Sequence, residues 1–226
     1  MKKILALLLA GVMIFSVIGC SKEDEDVKGK IKGNNKQEEE MEDKEVSVMD
    51  TLGNTEEAVY ENEYLGIGFT LPSNWVFYTD EQINEMNGIV QDAVDEDMAQ
   101  IMEDEQLIYD MIAQETTGNN VNVVIEKAKT SAIEKMDEKA YFEQSRDTAT
   151  EGLEQMGFSI IETEIASMNF VGEKHATLSV VCSMNGITLY EKMVCMKVGS
   201  YFACVTATAI NDDVTDDILS NFYSLK

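Results

Sequence analysis

The stretch "KHATLSVVCSMNGITLYEKMVCMKVGSYFACVTATAI", residues 174–210, decides the fold. Valine, threonine, tyrosine and phenylalanine crowd the runs 174–184, 187–198 and 201–210, and such residues fit a pleated, packed surface. Asn185-Gly186 between the first two runs is a strong two-residue hairpin signal, and Gly199-Ser200 can join the next two in the same way. A further run, 158–170, precedes them, so the C-terminal half reads as an antiparallel meander. Val194, Met196 and Val198 point one way from this sheet, and Leu189, Met193 and Cys195 point the other. A sheet that is apolar on both faces must be covered on both.

Working outward, the neighbouring segments supply helices for that cover. Residues 137–156 read as the best helix: Phe142, Ala149, Leu153 and Met156 share a face, Asp137 caps the start and Gly157 stops it. In "TDEQINEMNG", residues 79–88, Thr79 and Gln82 have capping-box spacing and Gly88 suits the end. A more acidic helix is expected over 89–102, with Val90, Val94, Met98 and Ile101 at helical spacing. "LIYDMIAQ" (107–114) and "VNVVIEKA" (121–128) flank "TTGNN" as two strands and their loop. A last helix is expected from Asp212 to Tyr223, with its acids at the start where the helix dipole favours them.

Order is expected to begin at Val59. "VYENEYLGIGFTLP", residues 59–72, alternates as a strand with Tyr64, Ile67 and Phe69 inward, and Pro72 ends it for want of a ladder donor. "SNWVFY" (73–78) resumes as a strand. Residues 59–226, about 168 in all, are ample for one core. The fold class is therefore α+β: a single α/β/α sandwich domain, an antiparallel sheet with helices on both faces.

"YENEYLGIGFTLPSNWVFYTDEQI", residues 60–83, resembles the opening of a module in lipoproteins of Gram-positive, clostridia-like bacteria. The likeness lies in the paired tyrosines, Gly66-Ile67-Gly68-Phe69, Pro72 and Trp75. More distantly, the strand, proline, short gap and tryptophan are similar to the PsbP-like superfamily. That resemblance implies an α/β/α sandwich on an antiparallel sheet and a non-enzymatic binding role. Better-known members serve the photosynthetic oxygen-evolving complex or bind a Ran-type GTPase. No functional residue of either matches a position here.

The N-terminus gives the address. Lys2 and Lys3 precede an apolar run, Ile4 to Ile18, that is short of the ~20 residues a spanning helix needs. That pattern matches a secretory signal peptide. Its end, Val17-Ile18-Gly19-Cys20, resembles the bacterial lipobox, which implies cleavage after residue 19 and a lipid on Cys20. Two acyl chains hold a protein to a bilayer where one holds only marginally. Residues 20–58 then read as a lipidated cysteine and an acidic, disordered tether with no aromatic residue. The expected location is the outer, extracytoplasmic face of the cell membrane.

The formal net charge of −26 argues against nucleic acid as a partner, because phosphate binding depends on cationic neutralisation. No phosphate loop, nucleophile elbow or HExxH motif is present. His175, the one histidine, sits beside Lys174 and reads as a strand-edge side chain rather than a catalytic group. Acid clusters at Asp92, Asp95, Glu96 and Asp97 and at Asp216-Asp217 lack the register of a calcium loop and read as solvated helix faces. No catalytic, metal or cofactor residue is assigned.

If Gly199-Ser200 is a two-residue turn, Cys195 and Cys204 stand opposite each other as a non-hydrogen-bonded pair, where side chains come closest. That spacing accepts a disulfide, and equally two adjacent thiols in a core, the reading favoured here. Cys182 then faces Leu189 and stays unpaired. The function expected is a membrane-anchored, non-enzymatic binding or scaffold module for a protein, peptide or glycan. The alternatives are a structural or stress-related envelope component and, more remotely, a carboxylate-based hydrolase.

Overall fold

The computed structural model describes residues 46–87, 107–128 and 130–225. The helix expected over 89–102, the Gly88 stop, the acid cluster around Asp95 and Cys20 lie outside these residues. The C-terminal meander forms as the turns require. Strands β7 (Ser159–Phe170), β8 (Glu173–Met184), β9 (Ile187–Val198) and β10 (Tyr201–Ile210) run antiparallel in sequence order. Asn185 and Gly186 take φ of 54° and 82°, the left-handed region that the tight turn demands. Beyond β10, β6 (Asn120–Lys127), β5 (Leu107–Glu115) and β4 (Trp75–Phe77) complete a seven-stranded sheet in the order β4-β5-β6-β10-β9-β8-β7.

One face of this sheet is covered by helices. α1 (Asp80–Met86) starts at Thr79 with the expected capping box, in which Gln82 reaches back to the Thr79 N–H. It lies over Tyr109, Ile112 and Val124. After the short α2 (Ser131–Glu134) comes α3 (Glu138–Gln155), capped by the Asp137 carboxylate on the Ala140 N–H at 2.8 Å. Phe142, Ala149 and Leu153 of α3 are fully buried against Leu178, Val180, Met193 and Phe202. Tyr141 stacks on Phe202 at 4.5 Å and donates to Glu126.

The other face carries an additional layer. A second sheet, β1 (Asn54–Glu56), β2 (Val59–Asn62), β3 (Ile67–Thr70) and β11 (Phe222–Ser224), packs Tyr60, Ile67, Phe69 and Phe222 onto Val194, Met196, Val123 and Val205. α4 (Thr215–Leu219) adds Ile218 and Leu219 to the same cluster. The α+β class holds, with helices on both faces, but most of this second cover is sheet.

Three expectations are corrected. The run 59–72 is not one strand: it folds back at residues 63–66 into β2 and β3, leaving Tyr64 only half-buried at the turn. The helix expected over 212–223 stops at Leu219, because Phe222 is drawn into the small sheet, where its ring lies 4.7 Å from that of Phe69. Pairing β11 with β3 also lays the Tyr223 ring over Gly68, where a Cβ would come within 2.3 Å of it. That contact accounts for a glycine in mid-strand.

The third correction concerns where order begins. Residues 46–58, placed in the tether, belong to the domain. Val48 and Thr51 of a 3-10 turn are buried, β1 pairs with β2, and the Tyr201 hydroxyl donates to the Val46 carbonyl at 2.9 Å. The cause is Asp110 on β5. Its carboxylate accepts from the Gly53 N–H at 2.8 Å, the Tyr60 hydroxyl at 2.6 Å and Asn62 Nδ2 at 2.7 Å. Burial pushes the Asp110 carboxyl above its usual range, and those three donors pull back against it. Sequence composition could not show this, since the anchor lies 57 residues away from Gly53.

A chain beginning at Val59 should therefore be less stable by about 2–4 kcal/mol, the scale of a lost buried network. Asp110→Ala should cost a similar amount. The two changes break one hydrogen-bonded group, so their combined cost in urea denaturation should fall clearly short of the sum.

Candidate functional site

β8 and β9 stay paired only as far out as Ala176 and Cys195, although both strands continue beyond. The carboxylate of Glu138, the first residue of α3, fills the parting. It accepts from the Ala176 N–H (3.0 Å), the Lys197 N–H (3.2 Å) and His175 Nδ1 (2.9 Å). A side chain thus takes the place of a strand for two ladder donors that would otherwise be orphaned. Burial acts to raise the Glu138 pKa, but the hydrogen bonds and the nearby imidazole outweigh it, and the carboxyl sits below its usual range.

An ionised Glu138 fixes the imidazole: Nδ1 donates, and Nε2 makes no hydrogen bond among the described residues. His175 is 8 % exposed, on an inner strand, and is not the strand-edge side chain expected. Its acidic partner was missed because the two lie 37 residues apart and Glu138 reads, in sequence, as an ordinary acid in a first helical turn.

The parted strands, the start of α3 and the flank of β7 enclose an open groove of about 860 Å³. Lining it are Ile165, Ala166 and Ser167 of β7, Lys174, His175 and Ala176 of β8, Lys197 of β9, and Asp137 to Lys139. Of the seven lysines and arginines among the described residues, three line this groove: Lys139, Lys174 and Lys197. Lys197 Nζ is tied to the carbonyls of Glu134 (2.5 Å) and Met136 (2.7 Å) and lies 5.6 Å from the Phe202 ring centre. Lys139 pairs loosely with Glu143 at 3.3 Å, and Lys174 is exposed without an ion pair among the described residues. Ser167 shares the groove, but no hydrogen bond joins it to His175 among the described residues. The groove therefore presents hydrogen-bonding groups and charges of both signs, with Lys139, Lys174 and Lys197 beside Asp137 and Glu138.

The three remaining cysteines are buried thiols. Cys195 faces Cys204 in the β9–β10 register, and Cys182 faces Leu189. Burial raises the Cys195 thiol well above its usual range, with its Cys204 hydrogen bond adding to the effect, and pushes Cys182 up to about 12. On the same sheet face Glu191 is 2 % exposed and burial lifts its pKa to about 8; among the described residues its Oε1 and the Oδ1 of Asn120 make no hydrogen bond. Among the described residues no group of three or more metal-ligating side chains converges.

No family model matches the chain, and no curated protein matches it. Solved structures similar to it include the solution structure of cyanobacterial PsbP (CyanoP) from Synechocystis sp. PCC 6803, at 14 % identity and a TM-score of 0.44 over 74 % of this chain and 91 % of that one. Another is the crystal structure of LpqN, involved in cell envelope biogenesis of Mycobacterium tuberculosis, at 12 % identity and a TM-score of 0.34 over 70 % and 82 %.

Two titrations follow. Glu138 has a depressed folded pKa, so its contribution is complete above the unfolded value near 4.5 and is lost as pH falls through the folded one. Glu138→Gln should cost about 1–3 kcal/mol at pH 7 and show a shallower loss of stability between pH 5 and pH 3. Glu191 has the opposite sign: its folded pKa is raised, so the neutral acid is favoured and stability declines as pH rises from 4.5 towards 8. Glu191→Gln should flatten that decline and be the more stable protein at pH 8, as read from urea midpoints at pH 5 and pH 8.

Proposed function

We propose that the chain is a lipid-anchored, extracytoplasmic binding module without a catalytic role, and that its ligand presents an anionic group to the groove beside His175. One observation carries the binding reading. In a chain of formal net charge −26, three lysines and a held imidazole converge on one open groove. The field of the whole surface repels anions, so a cationic corner in it selects a specific contact rather than a general one. The tied Lys197 and the three donors on Glu138 keep the groove preformed, which lowers the ordering cost of binding. A protein, peptide or glycan with a carboxylate or phosphate fits these terms. Nucleic acid does not, since the rest of the surface opposes an extended polyanion.

The anchor in this reading is a diacylglyceryl thioether on Cys20, supported by the basic end, the apolar run and the Gly19-Cys20 junction. Residues 21–45 would hold the domain off the bilayer. Cys195 and Cys204 are two adjacent thiols in this reading, not a disulfide.

Affinity capture from the parent cell's envelope tests the binding reading, with the full chain and its Lys174→Glu variant as baits. The expected result is a partner enriched by the first and lost from the second. Enrichment no greater than for an unrelated acidic domain would sink it. Cys20→Ser should move the protein from the membrane fraction to the medium, and intact mass should lose the lipid increment. Alkylation of the denatured chain without reductant should modify Cys182, Cys195 and Cys204 alike. In the native state all three should react slowly, because each lies buried out of the reagent's reach.

A further inference from the structure

We propose that the outer edge of β7 is a strand-addition site for an extended peptide segment bearing acidic side chains, which names the ligand class of the groove and rests on the groove reading above. β7 is the outermost strand of the large sheet among the described residues, and at twelve residues it is long for an exposed edge. The opposite edge, β4, has three.

The direction of its free groups follows from the turn. Val171 and Gly172, at φ of 46° and 95°, close a two-residue hairpin on the pair Phe170–Glu173. That closing pair exchanges ladder hydrogen bonds, and pairs alternate thereafter. Met168–His175 is hydrogen-bonded; Asn169–Lys174, Ser167–Ala176 and Ile165–Leu178 are not. The Ala176 N–H bears this out independently, since it points away from β7 to Glu138 Oε2. Ile165, Ser167 and Asn169 therefore turn their N–H and C=O groups outward, where an added chain of about five residues would find donors and acceptors in register.

The edge is guarded over only half its length. A register shift between Ile160 and Glu162 and the charges of Glu162 and Glu164 protect the first half, as natural sheets protect exposed edges. From Ile165 to Asn169 the register is regular and no residue is charged. This unguarded half is the part that borders the groove. An added strand lies about 4.8 Å outside β7, with alternate side chains on the α3 side beside Ser167 and Asn169. Lys174 stands across from Asn169 and Lys139 projects from the first turn of α3, so an aspartate or glutamate there meets positive charge. A second copy of this chain is the poorer occupant: its β7 brings two glutamates, and its net charge has the same sign.

The test is selection from a phage-displayed random heptapeptide library on the purified full chain. The strongest clone is then made as a fluorescein-labelled peptide and titrated by polarisation. Acidic residues interspersed with β-branched ones should be enriched. Ser167→Pro should weaken binding by about tenfold, the scale of a lost hydrogen bond in a registered pair, with an unchanged thermal midpoint, because the Ser167 N–H bonds to nothing within the sheet. Lys174→Glu should weaken it comparably. Methylating the peptide's amide nitrogens one at a time leaves the protein untouched and should reduce binding at every second position. Loss in Lys174→Glu without loss in Ser167→Pro, or methylation effects with no period of two, overturns strand addition and leaves the groove reading standing. Insensitivity to both substitutions, a basic or neutral consensus, or no clone selected overturns the proposal together with its premise.

Discussion

A sheet with apolar side chains on both faces cannot stand with one face in water, and every other layer of this protein answers to that constraint. Met193, Cys195 and Phe202 demand a cover on one side; Val194, Met196 and Val205 demand one on the other. A long helix satisfies the first. The second is met by short pieces drawn from both ends of the domain, β1 to β3 and α4 with β11, which must be held together because none is large enough to pack alone. Asp110 does that for the N-terminal pieces: one carboxylate on the large sheet gathers Gly53, Tyr60 and Asn62 from the small one. The aromatic contacts of Phe222 with Phe69 and Phe170 do it for the C-terminal piece.

The parts of this design that rest on local chemistry were legible in the sequence. Asn185-Gly186 fixed the β8–β9 turn, and summing partner numbers across Gly199-Ser200 placed Cys195 opposite Cys204. The Thr79–Gln82 box and the Asp137 cap depend on residues three apart, and both were found. What was not legible rests on distance. Residues 46–58 look polar and unstructured by composition, and only Asp110 gives them a reason to order. "NFYSLK" continues a helical start as well as it makes a strand; burial of Phe222 decides the matter. Glu138 and His175 carry no shared motif. They meet because α3 begins over the point where β8 and β9 part.

Glu138 shows how a structural need can create a preformed polar corner. The parted strands leave the Ala176 and Lys197 N–H groups to be satisfied, and a carboxylate at the start of α3 does so with its charge intact. The same carboxylate orients His175, and Lys197 Nζ is drawn down to the carbonyls that end α2. The groove is therefore preformed by contacts that exist for the fold. Under the proposed binding role these groups would need little further ordering, and among the described residues His175 Nε2 makes no hydrogen bond and Lys174 no ion pair.

In the proposed binding role, charge placement would give that corner its selectivity. At physiological salt the screening length is about 8 Å, so the distant acids act only weakly inside the groove, where Lys139, Lys174 and Lys197 stand beside the carboxylates of Asp137 and Glu138. Outside it, the acids dominate and discourage association in the wrong place. β7 shows the same division along a single strand. Glu162, Glu164 and the register shift oppose edge pairing at one end, and the uncharged run Ile165–Asn169 leaves the backbone open at the end beside the lysines. An uncharged peptide would gain the ladder but not the lysines, and a basic one would meet both the lysines and the unfavourable desolvation of its own charge. The proposed acidic extended segment would satisfy the edge and the corner together.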